Sequence, residues 1–142
     1  MSSTEAPKIP TANTDPNGPS KTYNASCHCG SVKFSAKVSP PLEEGAHEVA
    51  SCNCSICVSK GYLLVYLAND AVTFESGEEQ MKDYGFNEKK VKHFFCPNCG
   101  TALFISSVTP GFFEGMKAVN VRTFKGVDMD SLKLKKVDGK SI

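Results

Sequence analysis

Ser51-Cys52-Asn53-Cys54-Ser55-Ile56-Cys57 places three thiols within six consecutive positions. Two smaller pairs flank it, Cys27/Cys29 upstream and Cys96/Cys99 downstream, and together these account for all seven cysteines of the chain. Paired disulfides cannot consume an odd number. The set divides instead into four plus three. Four thiolates close a tetrahedral structural zinc site, whereas three leave one coordination position for chemistry. The cysteines then belong at turns where short strands meet.

Phe95-Cys96-Pro97-Asn98-Cys99-Gly100 carries the most specific local signal. A C-x2-C turn can bring two thiolates to about 2.3 Å from one ion. Pro97 fixes φ inside the turn, and Gly100 can take the positive φ that lets backbone N–H groups point at sulfur. A pair of buried free cysteines is the bland alternative. A redox C-x-x-C fits less well, because no helix is predicted to follow the motif. Cys27-His28-Cys29-Gly30 is the natural complement. On a straight strand, residues two apart are separated by about 6.6 Å, too far to share one ion, so this motif is predicted to be a tight turn entering a strand. Cys29 and Cys96 are 67 positions apart, far beyond finger-like spacing, and their pairing rests on ligand counting. Such a site would tie the start of the first strand to a distant hairpin and contribute roughly 10–16 kcal/mol.

Cys52, Cys54 and Cys57 are the remainder. Three thiolates around Zn2+ carry a single net negative charge. An incoming thiol could take the fourth position and lose its proton, or water could take it and give a hydrolytic site. A histidine could also close the site and make it structural. His47, five residues before Cys52, is the nearest in sequence, while His28 and His93 adjoin the other motifs. The spacings match neither ferredoxin pattern. Glu43/Glu44 and Glu78/Glu79 read as solvated loop pairs, and Lys133, Lys135 and Lys136 as a solvated basic strand face without aromatic interleaving.

Around these motifs the chain reads as all-β. Residues 31–38 alternate strictly, with Val32, Phe34, Ala36 and Val38 against polar neighbours, which predicts a half-buried strand. Residues 61–67 are apolar on both faces and predict a central strand. Asn69-Asp70 supplies a turn into a strand over 71–75, with Val72 and Phe74 inward. Residues 76–82 predict a helical turn at most. Strands over 89–95 and 101–105 flank the Cys96–Cys99 turn. Residues 117–124 alternate, putting Val119 and Val121 on one face and Asn120 and Arg122 on the other, where Arg122 could clamp a carboxylate or simply lie exposed. Leu132 and Leu134, spaced by lysines, predict a short last strand. The expectation is six to eight short strands with no helix of ordinary length.

At 142 residues the chain is long enough for one core but not two. Four of its eight prolines lie in residues 1–20, a segment too poor in bulky apolar groups to offset its ordering entropy. A flexible tail over residues 1–21 and a single zinc-binding domain over 22–142 are expected. With 16 basic and 15 acidic residues, a net charge of +1 gives no reason to expect nucleic acid as a partner. No apolar run approaches the ~20 residues of a membrane span. No secretory signal is visible, so reduced thiols and a cytoplasmic or nuclear location are expected.

Together, Cys27-His28-Cys29-Gly30, Cys52-Asn53-Cys54-Ser55-Ile56-Cys57 and Cys96-Pro97-Asn98-Cys99-Gly100 resemble the glutathione-dependent formaldehyde-activating enzyme family, which includes centromere protein V-like domains. The resemblance covers about residues 22–137, including the strand after the middle motif and Asn120-Val121-Arg122-Thr123. It implies a β-tent zinc fold with two Zn2+ per chain. One would be structural on Cys27, Cys29, Cys96 and Cys99, and one catalytic on Cys52, Cys54 and Cys57. It also implies glutathione, or another small thiol and its adduct, as partner. The implied activity is condensation of glutathione with formaldehyde to S-hydroxymethylglutathione, or its reversal, a carbon–sulfur lyase reaction. Which group moves the proton is not fixed by the motifs, and Tyr62, His28 and water are all candidates. A non-catalytic zinc scaffold of the same fold is the alternative.

Overall fold

The strands form where the apolar alternation predicts them, with three more than the pattern alone discloses. In chain order they are β1 (Lys21–Ser26), β2 (Lys33–Val38) and β3 (Val49–Cys52), then the short helix α1 (Ser55–Lys60). β4 (Leu64–Ala68), β5 (Val72–Ser76), β6 (Lys82–Tyr84) and β7 (Val91–Phe95) follow. β8 (Ala102–Ser107), β9 (Met116–Asn120) and β10 (Leu134–Val137) complete the set. This computed structural model describes residues 20–39, 41–42, 48–85, 91–107 and 116–137. The tail over 1–19 and the loop carrying Glu43, Glu44 and His47 lie outside the described residues.

The all-β expectation holds, with two sheets. Three strands pair in the order β1-β2-β5 and seven in the order β10-β3-β4-β9-β8-β7-β6. Neighbours are antiparallel except β10, which runs parallel to β3. The strand count of six to eight was too low because β1, β3 and β6 escape the pattern. β3 is only four residues long and ends inside the cysteine stretch. β6 has three residues, all exposed, so burial leaves no mark on it. The helical turn expected after residue 76 is the 3-10 turn Glu78–Gln80.

The alternation along β4 divides the interior in two. Leu63, Val65 and Leu67 join the main core, which Phe34, Val38 and Val119 also fill. Leu64 and Tyr66 point the other way, into a smaller cluster with Ala50, Cys57, Tyr62, Ile105 and Ala118. Successive strand residues face opposite sides of a sheet, so β4 has one face in each cluster. Aromatic rings bridge the two sheets: Phe34 to Phe74 at 5.5 Å, Phe74 to Phe104 at 5.8 Å and Phe104 to Phe94 at 4.8 Å between centroids. Full burial of each such side chain stabilises by roughly 1.5–3 kcal/mol.

One expectation fails at β9. The alternation over 117–124 predicts a strand that continues with Asn120 and Arg122 facing out. The strand stops at Asn120, and Val121–Thr123 forms a 3-10 turn. Asn120 is buried, and its side-chain oxygen accepts from the Arg122 amide at 3.2 Å while its amide donates to the Ala102 carbonyl at 2.9 Å. A side chain that bonds its own backbone two residues on favours a turn over continued pairing.

Candidate metal centres

The four-cysteine set is assembled by two turns. Cys27 and Cys29 lie in the turn between β1 and β2, and Cys96 and Cys99 in the turn between β7 and β8. Gly30 and Gly100 take φ of 84° and 79°, as the knuckle geometry requires. Their amides close the turns onto the Cys27 carbonyl at 3.2 Å and the Cys96 carbonyl at 2.8 Å. Backbone N–H groups reach sulfur as well, from Val32 to Cys27 Sγ at 3.3 Å and from Cys29 to Cys99 Sγ at 3.5 Å.

All four Sγ atoms lie within 4.8 Å of one another. The Cys27–Cys29 and Cys29–Cys96 sulfurs are 3.6 and 3.7 Å apart. Tetrahedral zinc with bonds of about 2.3 Å requires sulfurs about 3.8 Å apart, so the donors fit. Their acidities point the same way. Hydrogen bonds from Ser31 and Asn98 lower the Cys29 thiol to about 5. Burial raises Cys96 to about 11. Burial also pushes Cys99 up, but the Thr101 hydroxyl and neighbouring amides outweigh it and bring it to about 7. Four thiolates cannot share so small a volume without a cation, and a divalent one is the natural partner.

The three-cysteine set lies on the other side of β4, against the smaller cluster. Cys52 ends β3, Cys54 is the residue before α1, and Cys57 is the buried residue of the helix. Cys54 and Cys57 are three apart at a helix start, on one side of its first turn. The three Sγ atoms lie within 4.8 Å of one another, and no histidine joins either set among the described residues. Burial, then the neighbouring Cys54 and Cys52, push the Cys57 thiol far above its usual range. Burial also pushes Cys54 up, but contacts with the Cys57 amide and thiol and with Cys52 prevail and lower it. This trio likewise ionises fully only around a cation.

Next to the trio's cluster sits a pair, Tyr62 and His93, that the sequence named separately but did not bring together. The Tyr62 hydroxyl is 3.1 Å from His93 Nδ1, and the two rings stack at 5.8 Å. Burial lowers His93 to about 4, aided by the Lys60 charge. Burial, then the Cys57 and Cys54 thiolates, raise Tyr62 well above the usual phenol range. Both groups are therefore neutral at ordinary pH. The faint signal in the sequence was an inward-facing histidine on a strand, on the same side as Val91. His28, by contrast, is exposed at the four-cysteine turn, where its amide donates to Thr101 Oγ1 at 3.1 Å. Arg122 is exposed, as one of the two sequence readings has it, and its Nε donates to the Gly61 carbonyl at 2.7 Å just past the end of α1.

Two clefts flank α1. The larger, about 640 Å³, is lined by Ser55, Ile56, Ser59, Lys60, Tyr84 and Phe95. The smaller, about 410 Å³, is lined by Ser51, Cys52, Asn53, Val58, Lys136 and Val137. The smaller one matters more, because a member of the trio forms part of its wall.

A two-sheet β domain that gathers its seven cysteines into one four-thiol and one three-thiol cluster defines a protein whose donor sets suit two thiophilic cations. Residues 22–133 match the model of the glutathione-dependent formaldehyde-activating enzyme family, and the chain belongs to that family. A crystal structure of a Rhodobacter sphaeroides protein is similar in fold, with a TM-score of 0.63 and 24% identity over 79% of this chain and 99% of that one. That likeness speaks for the fold alone.

Proposed function

We propose that this protein is a zinc-dependent carbon–sulfur lyase that forms or breaks S-hydroxymethylglutathione or a related small thiol adduct. Residues 22–142 would act as one zinc-binding domain behind the tail over 1–21. The observation that carries the reading is the convergence of Cys52, Cys54 and Cys57 as three donors within 4.8 Å of one another, with Cys52 lining an open cleft. Membership of the family supports glutathione and formaldehyde as the partners.

Cys27, Cys29, Cys96 and Cys99 would hold a structural zinc ion, and Cys52, Cys54 and Cys57 the catalytic one. Zinc bound to the trio would supply a Lewis-acidic position that favours an incoming thiol in its thiolate form. The remaining contributions come from the chain itself. The three cysteines fix that position at the junction of β3 and α1, and the Arg122 bond to Gly61 holds the helix end in place. Tyr62 and His93, neutral and bonded to each other, support the floor without adding charge to it. In the forward direction one sulfur–carbon bond forms as the carbonyl π bond opens. The thiol proton ends on the former carbonyl oxygen, and nothing is oxidised or reduced.

Cys54→Ser is the direct test. Wild-type protein should contain two zinc ions per chain and turn over S-hydroxymethylglutathione. The variant should stay folded with one zinc and lose turnover. Full activity in Cys54→Ser would remove the catalytic assignment, and a wild-type protein indifferent to thiols would favour a scaffold role.

A further inference from the structure

We propose that the smaller cleft receives the carbon substituent of the thiol adduct against Val58 and Val137, and that adducts of alkyl aldehydes are therefore substrates, selected through these two side chains. The proposal rests on reading the three-cysteine cluster as the thiol-binding site. Both valines line the cleft together with Cys52, and each is tied to a member of the trio. Val58 lies one helical turn after Cys54, its amide donating to the Cys54 carbonyl at 3.0 Å, which sets the two side chains on one side of α1. Val137 pairs with Cys52 in the parallel register of β10 and β3. The Asn53 amide donates to the Val137 carbonyl at 3.0 Å and extends that pairing toward Cys54. Register partners share a sheet face, and Val137 packs with Cys52 and Cys54 against the smaller cluster. Ser51 and Lys136, the pair before them, face the other way.

An apolar wall beside the trio selects what can lie on it. Val58 is 67% exposed, so its side chain is apolar surface that a ligand, not the core, would cover. Glutathione offers amides, carboxylates and an ammonium group, and setting any of these against two valines deprives it of hydrogen-bond partners. The other part of the adduct is the carbon joined to the bound sulfur. Its substituent is only a hydrogen in the formaldehyde adduct, which gains no apolar contact there. An ethyl group in the same place gains about tenfold when fully buried. A cleft of about 410 Å³ has room for it. The chemistry does not change with the substituent. The thiol sulfur still bonds the carbonyl carbon as the π bond opens, the thiol proton ends on the oxygen, and nothing is oxidised or reduced. Val137 lies beyond residue 133, where the family match ends, so that match does not supply this contact.

The test is NMR exchange spectroscopy on the zinc-loaded full chain, with glutathione and either formaldehyde or propanal. Wild type should accelerate interconversion of both aldehydes with their adducts above the uncatalysed rate. Val58→Ser should cut the accelerated rate for propanal about fivefold and that for formaldehyde by less than about twofold. Because Val58 is exposed, the variant keeps its fold, and the retained formaldehyde rate verifies this. Leu134→Ser removes another exposed apolar side chain, from the same strand as Val137, at a residue that pairs with Val49 and does not line the cleft. It should change neither rate. A wild type that accelerates formaldehyde but not propanal overturns the proposal alone. Equal loss of both rates in Val58→Ser means that the valine acts on the fold, and loss of neither means that no substituent lies against it; either result overturns the proposal. A wild type that accelerates neither aldehyde overturns the reading of the trio as well.

Discussion

Replacing His93 with glutamine should flatten the acid side of the protein's stability profile. His93 is 3% exposed, and burial followed by the Lys60 charge lowers its pKa from 6.5 to about 4. The fold therefore holds the neutral ring. Between those two values the unfolded chain binds a proton that the native protein does not, so stability rises with pH in that window. The contribution is whole above the unfolded value and is lost as pH falls toward the folded one. At 1.36 kcal/mol per pH unit, the interval from 6.5 to about 4 amounts to about 3 kcal/mol. About 2 kcal/mol of that falls between pH 5 and 6.5, where measurement is practical. Urea denaturation of zinc-loaded wild type and His93→Gln across pH 5 to 8 reads it directly. Acid also strips zinc from thiolates, but both proteins carry the same cysteines, so that loss cancels in the difference. His93→Gln should be less stable at neutral pH, with the gap closing by about 2 kcal/mol at pH 5. Parallel curves would refute the reasoning, because His93 would then titrate as an ordinary exposed histidine.

Two further predictions separate the clusters and probe the turn beside one of them. Cys27→Ser removes a buried donor whose sulfur accepts the Val32 amide at 3.3 Å. Structural zinc sites contribute roughly 10–16 kcal/mol, so this variant should lose native circular dichroism and proton-NMR dispersion at 25 °C, where Cys54→Ser keeps both. A well-folded Cys27→Ser would show that the four-thiol site is dispensable. Gly77→Ala forces a side chain onto a residue at φ 82°, with its Cβ 2.2 Å from the Ser31 carbonyl oxygen. Neither backbone can yield cheaply, and the cost should reach at least about 3 kcal/mol in the urea midpoint. Ser31 Oγ lies 3.1 Å from Cys29 Sγ, so zinc affinity should fall with it. An unchanged midpoint would disprove the close approach.

Cysteine count, turn chemistry and apolar alternation were enough to divide seven thiols into four and three and to place the four-cysteine set at turns of an all-β chain, while the resemblance of the three motifs pointed to the family. The other three thiols lie instead at the end of β3 and the start of α1. Count, chemistry and alternation are local properties. Ligand softness, a glycine after a knuckle and a period of two are each written within a few residues. What the tertiary structure alone decided is how distant segments meet. β10 lacks an alternation strong enough to reveal its partner, and its parallel register against β3 comes from packing, yet it carries Val137 to the cleft at Cys52. Asn120 looked like an exposed strand residue until burial and its bond to the Arg122 amide made it a turn. His93 belonged to no motif and gained its place only when β7 set it against Tyr62, across 31 positions of sequence. Residue type tells which groups can bind a cation or carry a charge. Which of them share one small volume depends on long-range pairing and the exclusion of water, and neither is encoded within any single stretch of the chain.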